Sequence, residues 1–137
     1  QHLARKVEST GNKQILLTER GASFGYHDLV VDMRSLVKMS ELGYPVIFDA
    51  THSVQRMGGS TGVSGGSPQF IEPLARAAVA TGAVSAVFIE THPRPQEAMS
   101  DQASMLPLER LEPLINELVR VAEAVGIARP ISSMVSS

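Results

Sequence analysis

Three short apolar runs constrain the fold most strongly. QILLTERG (14–21), PVIFDATH (45–52) and AVFIETHP (86–93) are rich in β-branched or aromatic residues and are bounded by turn signals. Runs of this kind read as strands buried on both faces of a parallel sheet. Helical patterns separate them. LVVDMRSLVKMSELG (29–43) repeats Val30, Met33, Val37 and Leu42 near helical spacing, and Gly43 supplies a stop. SPQFIEPLARAAVATGA (67–83) opens on Ser67 and Pro68; Leu74, Ala77, Ala78 and Phe70 are expected to face inward. Proline is poorly tolerated inside a helix, so the main helix here is expected to begin at Pro73. PLERLEPLINELVRVAEAVG (107–126) carries a stripe of Leu108, Leu111, Ile115, Leu118, Ala122 and Val125. The tail from Arg129 has no period and reads as frayed.

Alternation of strand and helix implies a parallel α/β sheet. Each apolar run also ends in ionisable groups at its carboxyl side: Glu19 and Arg20, then Asp49 and His52, then Glu90 and His92. In parallel α/β architectures that edge holds ligands, and in a (β/α)8 TIM barrel it is the active face. Closing such a barrel takes eight strands and roughly 250 residues. The expectation is therefore that residues 1–137 form part of a single barrel domain, roughly three βα units, with the remainder supplied from elsewhere. The opening, QHLARKVEST, lacks an initiator Met and reads as the middle of an amphipathic helix with Leu3, Val7 and Ala4 on one side, which also suggests a piece of something longer.

Composition excludes several classes. A formal net charge of -2 leaves no basic footprint for nucleic acid. The apolar runs are too short to cross a bilayer, and no signal peptide or lipidation motif is present, so a cytoplasmic protein with no membrane partner is expected. Cysteine is absent, which rules out disulfides. No GxSxG, P-loop or strand-linked GxGxxG occurs, so hydrolase and nucleotide-binding readings rank low.

His52 is the first candidate. A histidine at a strand end is often only a hydrogen-bonded polar residue, but this one runs into a loop containing Gly58, Gly59, Gly62, Gly65 and Gly66. Glycine serves where backbone bends sharply or approaches a ligand, and the loop is long for its type, so a functional lid competes with a flexible connection. Glu90 follows Val87, Phe88 and Ile89 and wants a cation, either a metal or an arginine. Asp101 comes eleven residues later, beyond Pro93 and Pro95. His52, Glu90 and Asp101 are ligand types suited to a divalent transition metal, although no local HExxH-like spacing supports that use. Arg20 can grip a carboxylate or phosphate bidentately, or pair with Glu19 or Glu90.

The stretches TERGASFGYHDLVVDMRSL, VIFDATHSVQ with its glycine loop, PLARAAVATG, VFIETHPRPQEAMSDQAS and LPLERLEPLI together closely resemble 3-deoxy-D-manno-octulosonate 8-phosphate synthases (2-dehydro-3-deoxyphosphooctonate aldolases) from about Gln14 to Leu118. The resemblance implies the last three βα units of a (β/α)8 barrel, and a homotetramer in the intact enzyme. It implies condensation of phosphoenolpyruvate with D-arabinose 5-phosphate and water, a step toward lipopolysaccharide. On the same ground Arg20 corresponds to the arginine that holds the phosphoenolpyruvate phosphate. His52 corresponds to a catalytic histidine that lies near phosphoenolpyruvate and is also a metal ligand in the metal-dependent class. Glu90 and Asp101 correspond to two further ligands, Asp101 being placed as well to meet the sugar's hydroxyls or aldehyde. Gln55 and Ser64 fall in the loop resembling a flap over the pentose phosphate.

Ser100-Asp101-Gln102-Ala103 is similar to the metal-dependent members, whereas metal-free members carry Cys-Asp-Gly-Pro there. The metal-dependent class implies a divalent ion of the Zn, Fe or Mn class; the other class implies none. The fourth ligand of the former, a cysteine near the family's amino terminus, has no counterpart in this chain, nor have the phosphoenolpyruvate-gripping lysines. Two rivals stand beside this reading. One is 3-deoxy-D-arabino-heptulosonate 7-phosphate synthase, which uses erythrose 4-phosphate, has DPSHA where this chain has DATHS, and lacks the FGYxxLVVD stretch. The other is a non-catalytic piece that associates through its exposed sheet edges.

Overall fold

The computed structural model describes residues 2–23, 28–56 and 65–127. In chain order it contains α1 (His2–Glu8), β1 (Leu17–Glu19), β2 (Ala22–Ser23), β3 (Leu29–Val30), α2 (Met33–Ser40), β4 (Val46–Asp49), β5 (Gln55–Arg56), β6 (Gly65–Gly66), α3 (Ile71–Ala80), β7 (Ala86–Phe88), β8 (Thr91–His92), β9 (Leu106–Pro107) and α4 (Leu111–Ala124). Strands β1, β4 and β7 form one parallel sheet in that order. Thr18 lies beside Ile47, which lies beside Ala86; Asp49 lies beside Phe88. The three carboxyl ends thus sit level, as the sequence predicts.

The helices cover one face. Val46 and Phe48 point into a core with Leu36, Ile71, Ala75, Ala78 and Leu114, all essentially inaccessible. On the alternate positions Thr18 and Ala86 are exposed and Ile47 is half-buried. Side chains of a strand alternate between faces, so no helix among the described residues covers the second face of this sheet.

Each strand is shorter than its apolar run. After Asp49 the chain turns into a 3-10 turn over His52–Val54, because the Asp49 carboxylate captures the His52 backbone N–H at 2.9 Å. The third run breaks at Ile89–Glu90. The Glu90 N–H goes to Thr51 Oγ1 at 2.7 Å instead of a ladder partner, and the chain then pairs β8 with β9 in parallel.

The helix phases need correction. Helix α2 starts after Asp32, whose carboxylate accepts the Arg34 N–H at 3.0 Å, so Val30 belongs to β3 and is exposed. Val37 is exposed too, and Leu36 takes the buried place with Met33 and Met39 beside it. Gly43 ends the unit with φ +83, a left-handed conformation that glycine adopts without a Cβ clash. Helix α3 starts at Ile71, two residues before the expected Pro73, which sits in the first turn where a missing N–H costs nothing. Its inward residues are Ile71, Ala75, Ala78 and Val79, with Leu74 partly buried; Ala77 and Phe70 are exposed. In α4, Leu111, Leu118 and Ala122 pack on the core as predicted, but Leu114 is the buried residue while Ile115 is exposed, as are Leu108 and Val125 just outside the helix.

In α1 Ala4 is buried, whereas Leu3 and Val7 are exposed. The Tyr44 hydroxyl donates to Glu8 Oε1 at 2.7 Å, tying α1 to the turn before β4, and that bond holds the phenol above its usual pKa. No helix among the described residues is long and apolar enough to cross a membrane. Gly58, Gly59, Gly62 and Ser64 of the glycine loop lie outside the described residues, as does the tail from Arg129.

Candidate metal and substrate site

His52, Glu90 and Asp101 converge. One ligand atom from each lies within 4.8 Å of the others, and all three side chains are half-buried. The polypeptide brings them together by three separate devices. His52 leaves the end of β4 in the 3-10 turn set up by Asp49. Glu90 is fixed just beyond β7 by two backbone bonds: its N–H to Thr51 Oγ1, and its carbonyl to the N–H of Leu106 at 3.1 Å. Thr51 is fully buried, so that bond is shielded from water. Asp101 sits in the turn before β9 with φ +54, the left-handed region that aspartate tolerates better than most residues. Its carbonyl accepts the Ser104 N–H at 2.9 Å, which closes the turn.

The His52 ring is held on two sides. Its Nδ1 lies 2.7 Å from Asp49 Oδ2, and its face stacks on Phe88 with centroids 5.9 Å apart. The other nitrogen, Nε2, faces Glu90 Oε1 at 3.7 Å. Glu90 Oε2 is buried and has no hydrogen-bond partner among the described residues. A buried carboxylate oxygen without a donor is costly unless a cation meets it. An imidazole with two carboxylates is a donor set that divalent first-row metals accept, and the orphaned oxygen fits that use. The trio is compatible with a divalent metal.

Arg20 and Gln55 stand beside the trio. Arg20 Nη2 donates to Gln55 Oε1 at 3.3 Å, and Gln55 Nε2 donates to Asp101 Oδ1 at 2.5 Å. Gln55 therefore bridges the guanidinium and the candidate ligand. Arg20 is exposed and forms no ion pair among the described residues. The alternative partner Glu19 is engaged otherwise: it accepts the Gly21 N–H at 2.5 Å and the Ser35 hydroxyl at 3.2 Å. His92, polar at the end of its run, turns instead to the backbone of Arg94.

Two residues have roles at the site that the sequence did not assign to them individually. Asp49 was legible only as one more polar strand end, although its position three residues before His52 was the available signal. Gly66 is the other: a Cβ there would collide with the Ala103 carbonyl, so β6 lies directly against the Asp101 turn. Such close approach requires glycine.

A family profile described as the DAHP synthetase I family matches residues 1–125. The chain belongs to that family. Among curated members of similar sequence, the 2-dehydro-3-deoxyphosphooctonate aldolase of Acidithiobacillus ferrooxidans is 55% identical over 124 residues, 90% of this chain and 44% of that protein. The protein of the same name from Legionella pneumophila is 54% identical over 86% of this chain and 43% of its own length. That from Magnetococcus marinus is 57% identical over 85% of this chain and 40% of its own. The chain thus spans less than half the length of these relatives. A crystal structure of a DAHP synthase (phospho-2-dehydro-3-deoxyheptonate aldolase) from Thermotoga maritima superposes with a TM-score of 0.74 at 28% identity, covering 90% of this chain and 34% of that one. Within this DAHP synthetase I member, the three parallel strands and their helices are a portion of a (β/α)8 barrel.

Proposed function

We propose that the protein carrying this chain condenses phosphoenolpyruvate with D-arabinose 5-phosphate and water, giving 3-deoxy-D-manno-octulosonate 8-phosphate and inorganic phosphate. The observation that carries the reading is the convergence of His52, Glu90 and Asp101 at the carboxyl edge of the sheet, next to Arg20 and Gln55. The similarity to 2-dehydro-3-deoxyphosphooctonate aldolases at 52–57% identity supports the choice of reaction. In the condensation the enol carbon of phosphoenolpyruvate bonds to the aldehyde carbon of the pentose phosphate. A water oxygen adds at the adjacent carbon, and phosphate leaves. Three reactants must be held in register, and charge developing on oxygen must be met by fixed partners.

Arg20, solvent-accessible and oriented by Gln55, is placed to grip the phosphate of phosphoenolpyruvate. His52, Glu90 and Asp101 are the residues that would hold a divalent metal of the Zn, Fe or Mn class. When bound, such an ion supplies Lewis acidity toward a carbonyl or a water. Asp101, reached by Gln55, is placed to orient the sugar's hydroxyls or aldehyde, and Ser64 belongs with Gln55 to the loop that would cover the pentose phosphate. We place the reaction in the cytoplasm and the working enzyme in a homotetramer, both on the strength of the resemblance.

The family's description and the Thermotoga neighbour favour a second reading, heptulosonate formation from erythrose 4-phosphate. Initial rates with the two sugar phosphates, measured on the full protein at saturating phosphoenolpyruvate, separate them. A higher kcat/KM for arabinose 5-phosphate is expected. A preference for erythrose 4-phosphate would transfer the assignment to the rival, and no turnover with either would sink both.

A further inference from the structure

We infer that Asp49 is a positioning residue that fixes the tautomer of His52, keeping its proton on Nδ1 so that Nε2 presents a lone pair to the cation site. The inference rests on the ligand reading proposed above.

Asp49 ends β4 and is 7% exposed. Its two carboxylate oxygens serve the same residue: Oδ1 accepts the backbone N–H of His52 at 2.9 Å, and Oδ2 lies 2.7 Å from His52 Nδ1. An ionised carboxylate only accepts, so the hydrogen of the second bond belongs to Nδ1. A neutral imidazole carries one N–H, which leaves Nε2 unprotonated. That is the nitrogen facing Glu90 at 3.7 Å. The stack on Phe88 limits rotation of the ring about its remaining axis. Because the backbone N–H anchors the carboxylate that in turn holds the ring, both the direction and the proton of the imidazole are set before any ligand arrives. Partners of this kind behind a metal-binding histidine fix its tautomer and orient its ring.

Asp49→Asn separates this role from a packing role, because it preserves volume. The amide offers one acceptor and one donor to two donors. The backbone N–H cannot change, so it keeps the amide oxygen. The NH2 group then faces Nδ1, which must become the acceptor, and the proton moves to Nε2. A wrong tautomer with intact geometry is the known consequence of this exchange behind a functional histidine.

The test uses the full protein, metal-free, in mildly alkaline buffer. Long-range nitrogen–proton correlation spectra of the imidazoles are compared for parent and Asp49→Asn, with His52 assigned by its disappearance in His52→Gln. Zn2+ affinity of each is measured by equilibrium dialysis. Expected are an Nδ1–H tautomer in the parent, an Nε2–H tautomer in the variant, and a Zn2+ affinity lowered about ten- to a hundredfold. A parent that carries the proton on Nε2 overturns the inference, and so does a variant that keeps the parent's tautomer or the parent's affinity. If the variant does not fold, the parent's tautomer alone decides. If the parent binds no Zn2+, the ligand reading fails by itself, and the tautomer comparison still judges Asp49.

Discussion

His52 carries the largest share of the proposed chemistry. It is the trio's only nitrogen donor, and the remaining pair, Glu90 and Asp101, are both carboxylates. Replacing His52 with Ala removes one of the three proposed ligands in this chain and leaves two carboxylates facing each other across a partly buried gap. Turnover of the full protein should fall by at least about a hundredfold, the scale attached to losing one positioned catalytic group. Bound metal, measured by atomic emission after gel filtration, should fall with it; normal rate and metal content together would refute the assignment. Gln55 presents a subtler case. It joins Arg20 to Asp101, two residues assigned to different substrates, so Gln55→Leu leaves the partly buried Asp101 carboxylate short of a donor, a loss of about 1–3 kcal/mol. The KM values for phosphoenolpyruvate and the pentose phosphate should both rise, by about tenfold per 1.4 kcal/mol. Separate KM measurements that leave both unchanged would show that the bridge is idle.

At the scale of elements, the strands were legible and the helix faces less so. Period and composition located β1, β4 and β7 because a strand that is apolar on both faces needs no phase to be chosen, although only one face of this sheet is covered among the described residues. The strand ends were not legible, since they depend on side chains that compete for backbone N–H groups: Asp49 takes that of His52, and Thr51 takes that of Glu90. Helix phase failed where two overlapping apolar stripes were available. In α4, Leu114 is buried in the core; Leu111, Leu118 and Ala122 pack at the core's edge and, with Ile115, line a groove of about 540 Å³ against Val87 and Ile89. The stripe read from sequence is thus in part the core's edge and in part the groove wall, with Leu108 and Val125 belonging to neither. The start of α2 could have been read correctly from Asp32, an aspartate followed two residues later by the arginine it engages. Arg34 holds the Asp32 carboxyl below its ordinary 3.8, first through its side-chain hydrogen bond and then through its backbone N–H. A carboxyl whose folded pKa lies below its unfolded one adds stability that is complete above the unfolded value and disappears as pH falls through the lowered one. Asp32→Ala should therefore speed amide exchange in the first turn of α2 at neutral pH, and the difference from the parent should vanish in strong acid. A difference that persisted there would assign the cap to something other than the ionised carboxylate.

Among the described residues the parallel sheet has three strands where closing a barrel takes eight, and this sets how the 137-residue chain behaves alone. Strands β1 and β7 each pair on one side only within their sheet, so each leaves a row of backbone N–H and C=O groups without ladder partners in it. Unpaired strand edges are templates for association. The open sheet face adds Phe88 at 44% exposure, while Leu3 at 81% and Leu16 at 60% flank the cleft between α1 and β1. Against this, the core around Phe48, Leu36 and Ile71 is closed, and the α3–α4 contact is reinforced by Arg110 to Glu72 at 2.9 Å and Arg76 to Glu117 at 2.5 Å. Helix-to-sheet packing should thus survive while the edges seek partners. Expressed alone, the chain should sediment as species whose mean mass increases with concentration, with helical circular dichroism retained. Supplying a polypeptide that carries the remaining strands of the barrel should convert them to one defined complex. A monodisperse monomer at every concentration would show that the edges and the open face are covered within these 137 residues, and the idea of a barrel portion exposed for completion would fail with it.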